Sequence, residues 1–264
     1  MLTIAIFLVC FFASAVGAVC GIGGGIIIKP VLDSLGTFHI SVINFLSSCT
    51  VLSMAAYSVL RSRRDRTSQI ELSEAAPLAF SSAAGGAFGN RIFHTLQMAF
   101  ATPEYAGACQ TVLLAAVLVF TLLYSIKKSS IKTLHIKAYL PKLAIGFSLG
   151  CTSSFLGIGG GPFNLAVLSF FFSMGTKKAA ENSLFIIFFS QIANLLSAFV
   201  TGTVPEFSFS VMLLMASGGV LGGVFGRRLN KIMNESHIDL LFNLLLAGLL
   251  CLDLYNFAIY AGVY

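Results

Sequence analysis

Long apolar stretches, separated by short polar segments, fill almost the whole chain. In each half, one stretch is interrupted by glycines and three uninterrupted stretches follow it. Their lengths are close to the ~20 residues that a transmembrane helix needs, and the ten-residue alternating segments of a membrane β-barrel are absent. The predicted segments are 2–36, 40–60, 72–92 and 104–126 in the first half, and 138–174, 180–201, 207–226 and 238–260 in the second half.

The composition agrees with this pattern. Hydrophobic residues make up 57% of the chain and charged residues 10%, and the mean hydropathy is +0.91. Soluble domains are about 25% charged. We therefore predict an all-α, multi-pass integral membrane protein with about eight transmembrane segments, or about ten if both arms of each interrupted hairpin are counted.

The two halves resemble each other. Three pairs of similar segments occur in the same order, at offsets of 136, 138 and 137 residues: Gly21–Gly25 with Gly157–Gly161, Asn44–Leu46 with Asn182–Leu184, and Gly85–Arg91 with Gly222–Arg228. A near-constant offset is the mark of an internal duplication. The sequence predicts two transmembrane repeats, 1–130 and 131–264, each a glycine-broken hairpin followed by three helices.

The basic residues indicate how the repeats are oriented. If each hairpin crosses the membrane an even number of times, 14 of the 16 basic residues fall on one side, as the positive-inside rule requires. Each half then has an odd number of crossings, so the repeats are inverted and both termini lie outside. A single crossing per hairpin would give parallel repeats and place five basic residues on the wrong side. Re-entrant and fully spanning hairpins both satisfy the count.

The glycine clusters are the first candidate site. In hydrocarbon, broken backbone is tolerated only where it is buried in protein or lines a cavity, and matching breaks in two halves are typical of a transporter's binding site near the midplane. The helix after each break would direct its free N–H groups and positive dipole end into the break, which suits a small anion. Close helix packing is the alternative role of such glycines. The glycines predicted to line the site are Gly23, Gly24, Gly25, Gly159, Gly160 and Gly161.

Polar residues near the breaks complete the predicted substrate site. Lys29 lies in an apolar stretch, where a charge costs at least ~2.5–3.5 kcal/mol, and is predicted to be a fixed cation beside the anion path. Its alternatives are a pair with Asp33 or extension to the outer face. Neutral hydrogen-bond donors on the helices after the hairpins would replace the water around an anion, or else bond helix to helix at ~0.6 kcal/mol each. These donors are Asn44, Ser47, Asn182 and Ser183, with Asn44 and Asn182 interpreted as an equivalent pair.

Other functional classes find little support. The six cysteines are scattered and form no CxxC pair, so no metal site and no cofactor are predicted. No HExxH, Gly-x-Ser-x-Gly or Walker motif occurs, so the chain is not predicted to be an enzyme and no catalytic residue is assigned. The net charge of +6 lies mostly in short loops, where it sets topology and does not indicate nucleic-acid binding.

A family resemblance rests on these same motifs. The run Gly21–Gly25 leading into Pro30-Val31-Leu32, its repetition at Gly157–Gly161, and the glycine-rich segments that end at Arg91 and Arg228 resemble the TauE/SafE family. The resemblance implies secondary transport of small sulfur-containing anions, such as sulfite or sulfoacetate, across the bacterial cytoplasmic membrane. Asn44–Ser47 and Glu181–Ser183 depart from the Gly-Thr-Ser element that is commoner in the family, so the sequence does not identify the anion.

The sequence thus predicts a secondary transporter, an exporter of a small sulfur-containing oxyanion. Its partners are the anion and the lipid bilayer, and the hypothesis leaves room for a coupling proton and a homodimer. Inverted halves with helix ends at the midplane would also suit a passive anion channel. A membrane scaffold that transports nothing is the third alternative.

Overall fold

The chain is mostly helical in the residues that the computed structural model describes, which are 2–36, 38–64, 68–99, 103–158 and 160–260. These residues form no β-strand. The helices are α1 (Leu2–Cys20), α2 (Gly25–Ser34), α3 (Ile40–Arg64), α4 (Leu72–Ala99), α5 (Pro103–Lys127), α6 (Tyr139–Phe155), α7 (Pro162–Phe172), α8 (Thr176–Val200), α9 (Phe209–Ile232) and α10 (Glu235–Tyr260), with a 3₁₀ turn at Lys128–Ser130. The predicted all-α fold is confirmed, and each interrupted hairpin comprises two helices.

The outer surface fits a membrane. Six helices or parts of helices are long and apolar enough to cross a bilayer: α1, α3, Gly107–Ser130, α8, α9 and Glu235–Phe257. Large apolar side chains lie exposed on their outer faces, among them Phe199, Val200 and Leu244. A soluble protein rarely exposes so much contiguous apolar surface. The chain is therefore a multi-pass membrane protein.

The first hairpin reverses at its glycines. Gly21 ends α1 with a φ of 72°, a left-handed conformation that ends many helices and that glycine adopts without steric cost. The chain then turns back along α1, and Gly24 packs beside Ser14: a Cβ added to Gly24 would lie 2.8 Å from Ser14 Oγ. In the second half, Gly157 has a φ of 65°. The first glycine of each motif thus ends the helix before it.

Helices from different halves pack in two equivalent pairs, α1 with α9 and α4 with α6. A Cβ added to Gly222 would lie 2.2 Å from Phe11 O, and a Cβ added to Gly85 would lie 2.0 Å from Phe147 O. No side chain fits at such distances, so the glycine-rich segments of α4 and α9 bring backbones together, as small residues do in membrane proteins. The equivalent contacts support the duplication.

The first long helix of each half, α3 and α8, contact each other along their length. Near one end, Ser62 Oγ donates a hydrogen bond to Glu181 Oε2 at 3.0 Å. Near the other end, Asn194 Nδ2 donates to Ser48 Oγ at 3.3 Å. Between these two hydrogen bonds the chain runs from 48 up to 62 along α3 and from 194 down to 181 along α8, so the two helices are antiparallel. Equivalent helices run antiparallel in an inverted repeat, and this contact supports the predicted inversion.

Ion pairs collect at one end of the helical bundle, where α3, α5 and α9 finish and α4, α6, α8 and α10 begin. We call it the basic end, because most lysines and arginines lie there. The pairs are Lys178–Glu71 at 2.6 Å, Lys142–Glu74 at 2.8 Å and Lys128–Asp239. All three of these pairs join the two halves, so the basic loops of both halves meet on one side.

Candidate functional site

The two glycine breaks meet inside the protein. A Cβ added to Gly25 would lie 2.1 Å from the carbonyl oxygen of Ile158, which belongs to the other break, and 2.9 Å from Ser47 Oγ. Gly160, with a φ of 112°, lies against Ile187 near the middle of α8. The structure thus brings together the predicted Gly24, Gly25, Gly160 and Gly161 regions at mid-helix depth. Gly159 lies outside the described residues.

Each break precedes a helix without a side-chain cap. Gly24 precedes α2 and Gly161 precedes α7, and no side chain accepts a cap hydrogen bond from the first turn of either helix. The first N–H groups of a helix have no partner within the helix, and they carry the positive end of its dipole, worth ~0.3–1 kcal/mol to an anion and up to ~2 in partly buried sites. Both helix starts therefore place a positive dipole end in the protein interior, and in α7 the first residue, Pro162, has no N–H to donate.

Buried polar side chains without a hydrogen-bond partner surround the breaks. An unsatisfied buried donor or acceptor costs about 1–3 kcal/mol, so native cores hold few of them. Within the described residues, those on α1, α3, α6 and α8 are Ser14, Ser47, Ser58, Ser154, Ser183, Ser190 and Gln191, together with the Oδ1 atoms of Asn44, Asn182 and Asn194. Two of them lie beside the same glycine: a Cβ added to Gly86 would lie 2.9 Å from Ser190 Oγ and 3.2 Å from Ser154 Oγ. This concentration of free donors and acceptors suits a polar ligand.

The predicted residues do not all share one place. Ser47 lies beside Gly25, and Asn44 packs on Gly157. Ser183 is fully buried. Asn182 instead lies toward the basic end, where its Nδ2 donates to Lys178 O at 2.8 Å and Gln69 O at 3.3 Å.

The structure corrects one predicted equivalence. Gly157 packs on Asn44, and its counterpart Gly21 packs on Ala180. The partner of Asn44 in the other half is therefore Ala180, at the same offset of 136 residues that relates the glycines, and the pairing of Asn44 with Asn182 is wrong. The same offset relates Ser47 to Ser183, both buried and unpartnered.

Lys29 is buried, with 4% of its surface exposed. Its Nζ donates to Gln110 Oε1 and, at 2.8 Å, to the carbonyl oxygen of Leu156, the residue before the second break. A cation is favourable near the C-terminal end of a helix such as α6. The alternative that Lys29 extends to the outer face is wrong. Its side chain instead connects the first hairpin to the edge of the second break.

Two cavities flank the breaks, one toward each end of the bundle. The basic cavity opens toward the basic end and is lined by Ser58, Glu181, Arg227, Asn230 and Lys231 among others. The amide cavity lies toward the opposite end and is lined by Asn44, Ser48, Asn90, His94, Ser154 and Asn194 among others. Each of the eight residues lining the basic cavity has a counterpart 136 or 137 positions away in the amide cavity. The cavities are therefore equivalent features of the two halves.

Sequence comparison assigns the chain to a family. Residues 6–252 match the family model described as Sulfite exporter TauE/SafE. The chain belongs to the TauE/SafE family. Among curated proteins it is similar to the Probable membrane transporter protein YunE of Bacillus subtilis (strain 168), with 28% identity over 114 residues, 43% of this chain and 41% of that protein. The match thus spans less than half of that relative, and no solved structure matches significantly.

Membership in TauE/SafE makes the chain a member of a membrane transporter family, which is not an enzyme class. Among the described residues, no group of three or more His, Cys, Asp or Glu side chains is arranged to hold a metal ion.

One residue of this TauE/SafE chain escaped the sequence reasoning. In the sequence, Arg227 counts only among the basic residues that set the topology, but its Nε and Nη2 atoms are buried. Gly219 and Gly223 precede it at intervals of four residues and pack on Thr50 and Met54 of α3. Residues four apart share a helix face, so this spacing indicates that Arg227 continues the inward face.

Proposed function

We propose that this protein is a secondary transporter that exports a small sulfur-containing oxyanion, such as sulfite or an organosulfonate, and binds it near mid-membrane between the two glycine breaks. The observation that carries the proposal is the contact of the two breaks, each followed by a helix without a side-chain cap and bordered by buried, unpartnered hydroxyl groups. Free N–H and O–H donors stabilise an anion without adding a second full charge.

The two cavities suggest how the anion reaches the breaks. They are related by the repeat and lie toward opposite ends of the bundle. We infer that the repeats are inverted, which the antiparallel course of α3 and α8 supports, and that each cavity is the access route from one side. In transporters with inverted repeats, alternating access to a fixed central site comes from rocking one set of helices against the other. The basic end would then be cytoplasmic by the positive-inside rule.

The test is anion transport in proteoliposomes of the purified protein. Sulfite, sulfoacetate, sulfate and thiosulfate are compared with and without an imposed pH gradient. We expect saturable flux of one of these anions, and an effect of the gradient would reveal the coupling proton. Unsaturable flux would favour a channel, and no flux of any of the four anions would contradict the proposal. A homodimer stays a prediction, which the mass of the detergent-solubilised protein tests.

Variants at the breaks distinguish a substrate site from a packing role. Gly24→Leu and Gly160→Leu place a side chain where an added Cβ already lies 2.8 Å from Ser14 Oγ or 2.2 Å from Ile187 Cγ1. We expect both variants to insert into the membrane and to lose transport. Gly248→Leu is the matched control, because no atom lies within 4 Å of a Cβ added there. Loss of both break variants from the membrane, with the control intact, would assign the glycines to folding alone.

A further inference from the structure

Arg227 presents free hydrogen-bond donors inside the basic cavity. Its Nη1 donates to the carbonyl oxygen of Ser58 at 3.0 Å, which fixes the guanidinium against α3. Its Nε and Nη2 atoms are buried and have no partner among the described residues. Ser58 Oγ, which lines the same cavity, is also buried and unpartnered. One bond therefore orients the guanidinium, and two of its nitrogen atoms stay buried at the cavity wall without a partner among the described residues.

A buried cation without a partner is unfavourable unless a counter-ion neutralises it. The carboxylate that lines the same cavity is Glu181, but Glu181 Oε2 accepts hydrogen bonds from Ser62 Oγ at 3.0 Å and from the backbone N–H of Gln69 at 2.9 Å. No ion pair joins Arg227 to Glu181 among the described residues. The planar fork of donors in a guanidinium matches two oxygens of an oxyanion at once, so an external anion fits the free donors.

The equivalent cavity lacks this feature. The counterparts of Arg227, Lys231 and Glu181, at offsets of 137 and 136 residues, are Asn90, His94 and Phe45. The basic cavity thus contains two cationic side chains and one carboxylate, whereas amides and one histidine line the amide cavity. Two access routes of equivalent geometry therefore differ in charge.

We propose that Arg227 is the site where the oxyanion first binds from the basic end, with Lys231 at its rim, and that the amide cavity is the weaker site on the opposite side. This proposal rests on the proposed anion transport. It adds Arg227 as a binding residue and a difference in anion affinity between the two sides of the membrane. The charge difference sets the half-saturating concentration on each side. The direction of net transport follows from the gradients across the membrane.

The test measures anion binding separately from transport. Thermal stability of the detergent-solubilised protein is measured with sulfite, sulfate or sulfoacetate against chloride at equal ionic strength, because a ligand that binds only the folded state stabilises it. The variants are Arg227→Gln, Arg227→Lys, which keeps the charge but not the fork, and Arg228→Gln, which neutralises the exposed neighbouring arginine. We expect one anion to stabilise the wild type and Arg228→Gln, to stabilise Arg227→Lys less, and to have no effect on Arg227→Gln.

Transport gives the second readout. In vesicles of known orientation, Arg227→Gln should raise the half-saturating concentration at the basic end at least about tenfold and change the opposite side less than about twofold. Asn90→Arg should lower that concentration on the opposite side. If Arg227→Gln does not fold, undiminished stabilisation and transport in Arg227→Lys would overturn the proposal.

The outcomes separate the two proposals. Anion stabilisation that depends on Arg227, without flux of any anion, would overturn the transport function and leave the binding site standing. Saturable flux with identical binding and sidedness in Arg227→Gln would overturn the binding site and leave transport standing. Absence of stabilisation of the wild type by all of the anions would also overturn the binding site.

Discussion

A single methyl group at the contact between the two breaks should impair transport far more than stability. In Gly25→Ala, the new Cβ lies 2.1 Å from Ile158 O, so one break must move away from the other by roughly an ångström to reach an ordinary contact. Helix propensity favours alanine over glycine by ~1 kcal/mol, and overpacking a core costs ~1–3 kcal/mol. Because the new Cβ meets backbone, which cannot turn aside as the end of a side chain can, we expect a net loss of stability of about 2 kcal/mol, within the ~5–15 kcal/mol stability of a native protein.

Transport should fall much further, because an ångström of misplacement in a preorganised site costs up to about a hundredfold in enzymes. We expect Gly25→Ala to reduce the initial rate of anion flux in proteoliposomes by about ten- to a hundredfold. Thermal unfolding in detergent and protein yield from the membrane are measured on the same preparation.

The matched control is Gly248→Ala on the exposed face of α10, where no atom lies within 4 Å of an added Cβ. This variant has the same change in helix propensity but no steric clash, so its flux should equal that of the wild type. Wild-type flux in Gly25→Ala would show that close contact of the breaks is unnecessary for transport. Loss of flux in step with loss of folded protein would refute the site and leave a packing role.

Three further predictions concern the same region. Ser47→Ala and Ser183→Ala should each raise the half-saturating anion concentration a few-fold, measured by flux kinetics. Neither should lose stability, because removing an unpartnered buried hydroxyl relieves up to ~1–3 kcal/mol. Lower stability with unchanged affinity would contradict this prediction. Lys29→Met should lower the unfolding temperature, because it removes the bonds to Gln110 and Leu156, and should also weaken anion affinity; unchanged affinity in the folded variant would restrict Lys29 to structure. In a cysteine-free background, cysteines at Gln69 and Thr203 should react with an impermeant maleimide from opposite sides of the membrane; labelling from one side would contradict the inverted repeat.

The helices and their interruption follow from local properties of the sequence. Apolar runs of membrane-spanning length form helices whatever their partners, and glycine clusters break them because Gly21 and Gly157 need a left-handed backbone. The ends were predicted less well. α3 continues to Arg64 and α9 to Ile232, because a helix continues beyond the apolar core into polar residues that hydropathy does not detect.

The side-chain partners could not be deduced in this way. Local sequence similarity aligned Asn44 with Asn182, whereas the contacts with the glycine breaks show that the counterpart of Asn44 is Ala180. Gln110, the partner of Lys29, is 81 positions away on α5, and no local pattern connects the two residues. The spacing from Gly219 and Gly223 separates Arg227 from its exposed neighbour Arg228, but only the packing of α9 on α3 shows that Arg227 bonds to Ser58.

The pairing of α1 with α9 and of α4 with α6 also bears on biogenesis. The predicted boundary near residue 130 divides two repeats, yet the glycine-rich helix of each repeat packs on a helix of the other repeat, α4 on α6 and α9 on α1. When synthesis has reached residue 130, α1 and α4 have no cognate neighbours in the bilayer, and α1 acquires its own only once α9 has been inserted. The halves should therefore be inseparable as folding units. Fragments 1–130 and 131–264 expressed alone should be degraded, and the two expressed together should protect each other.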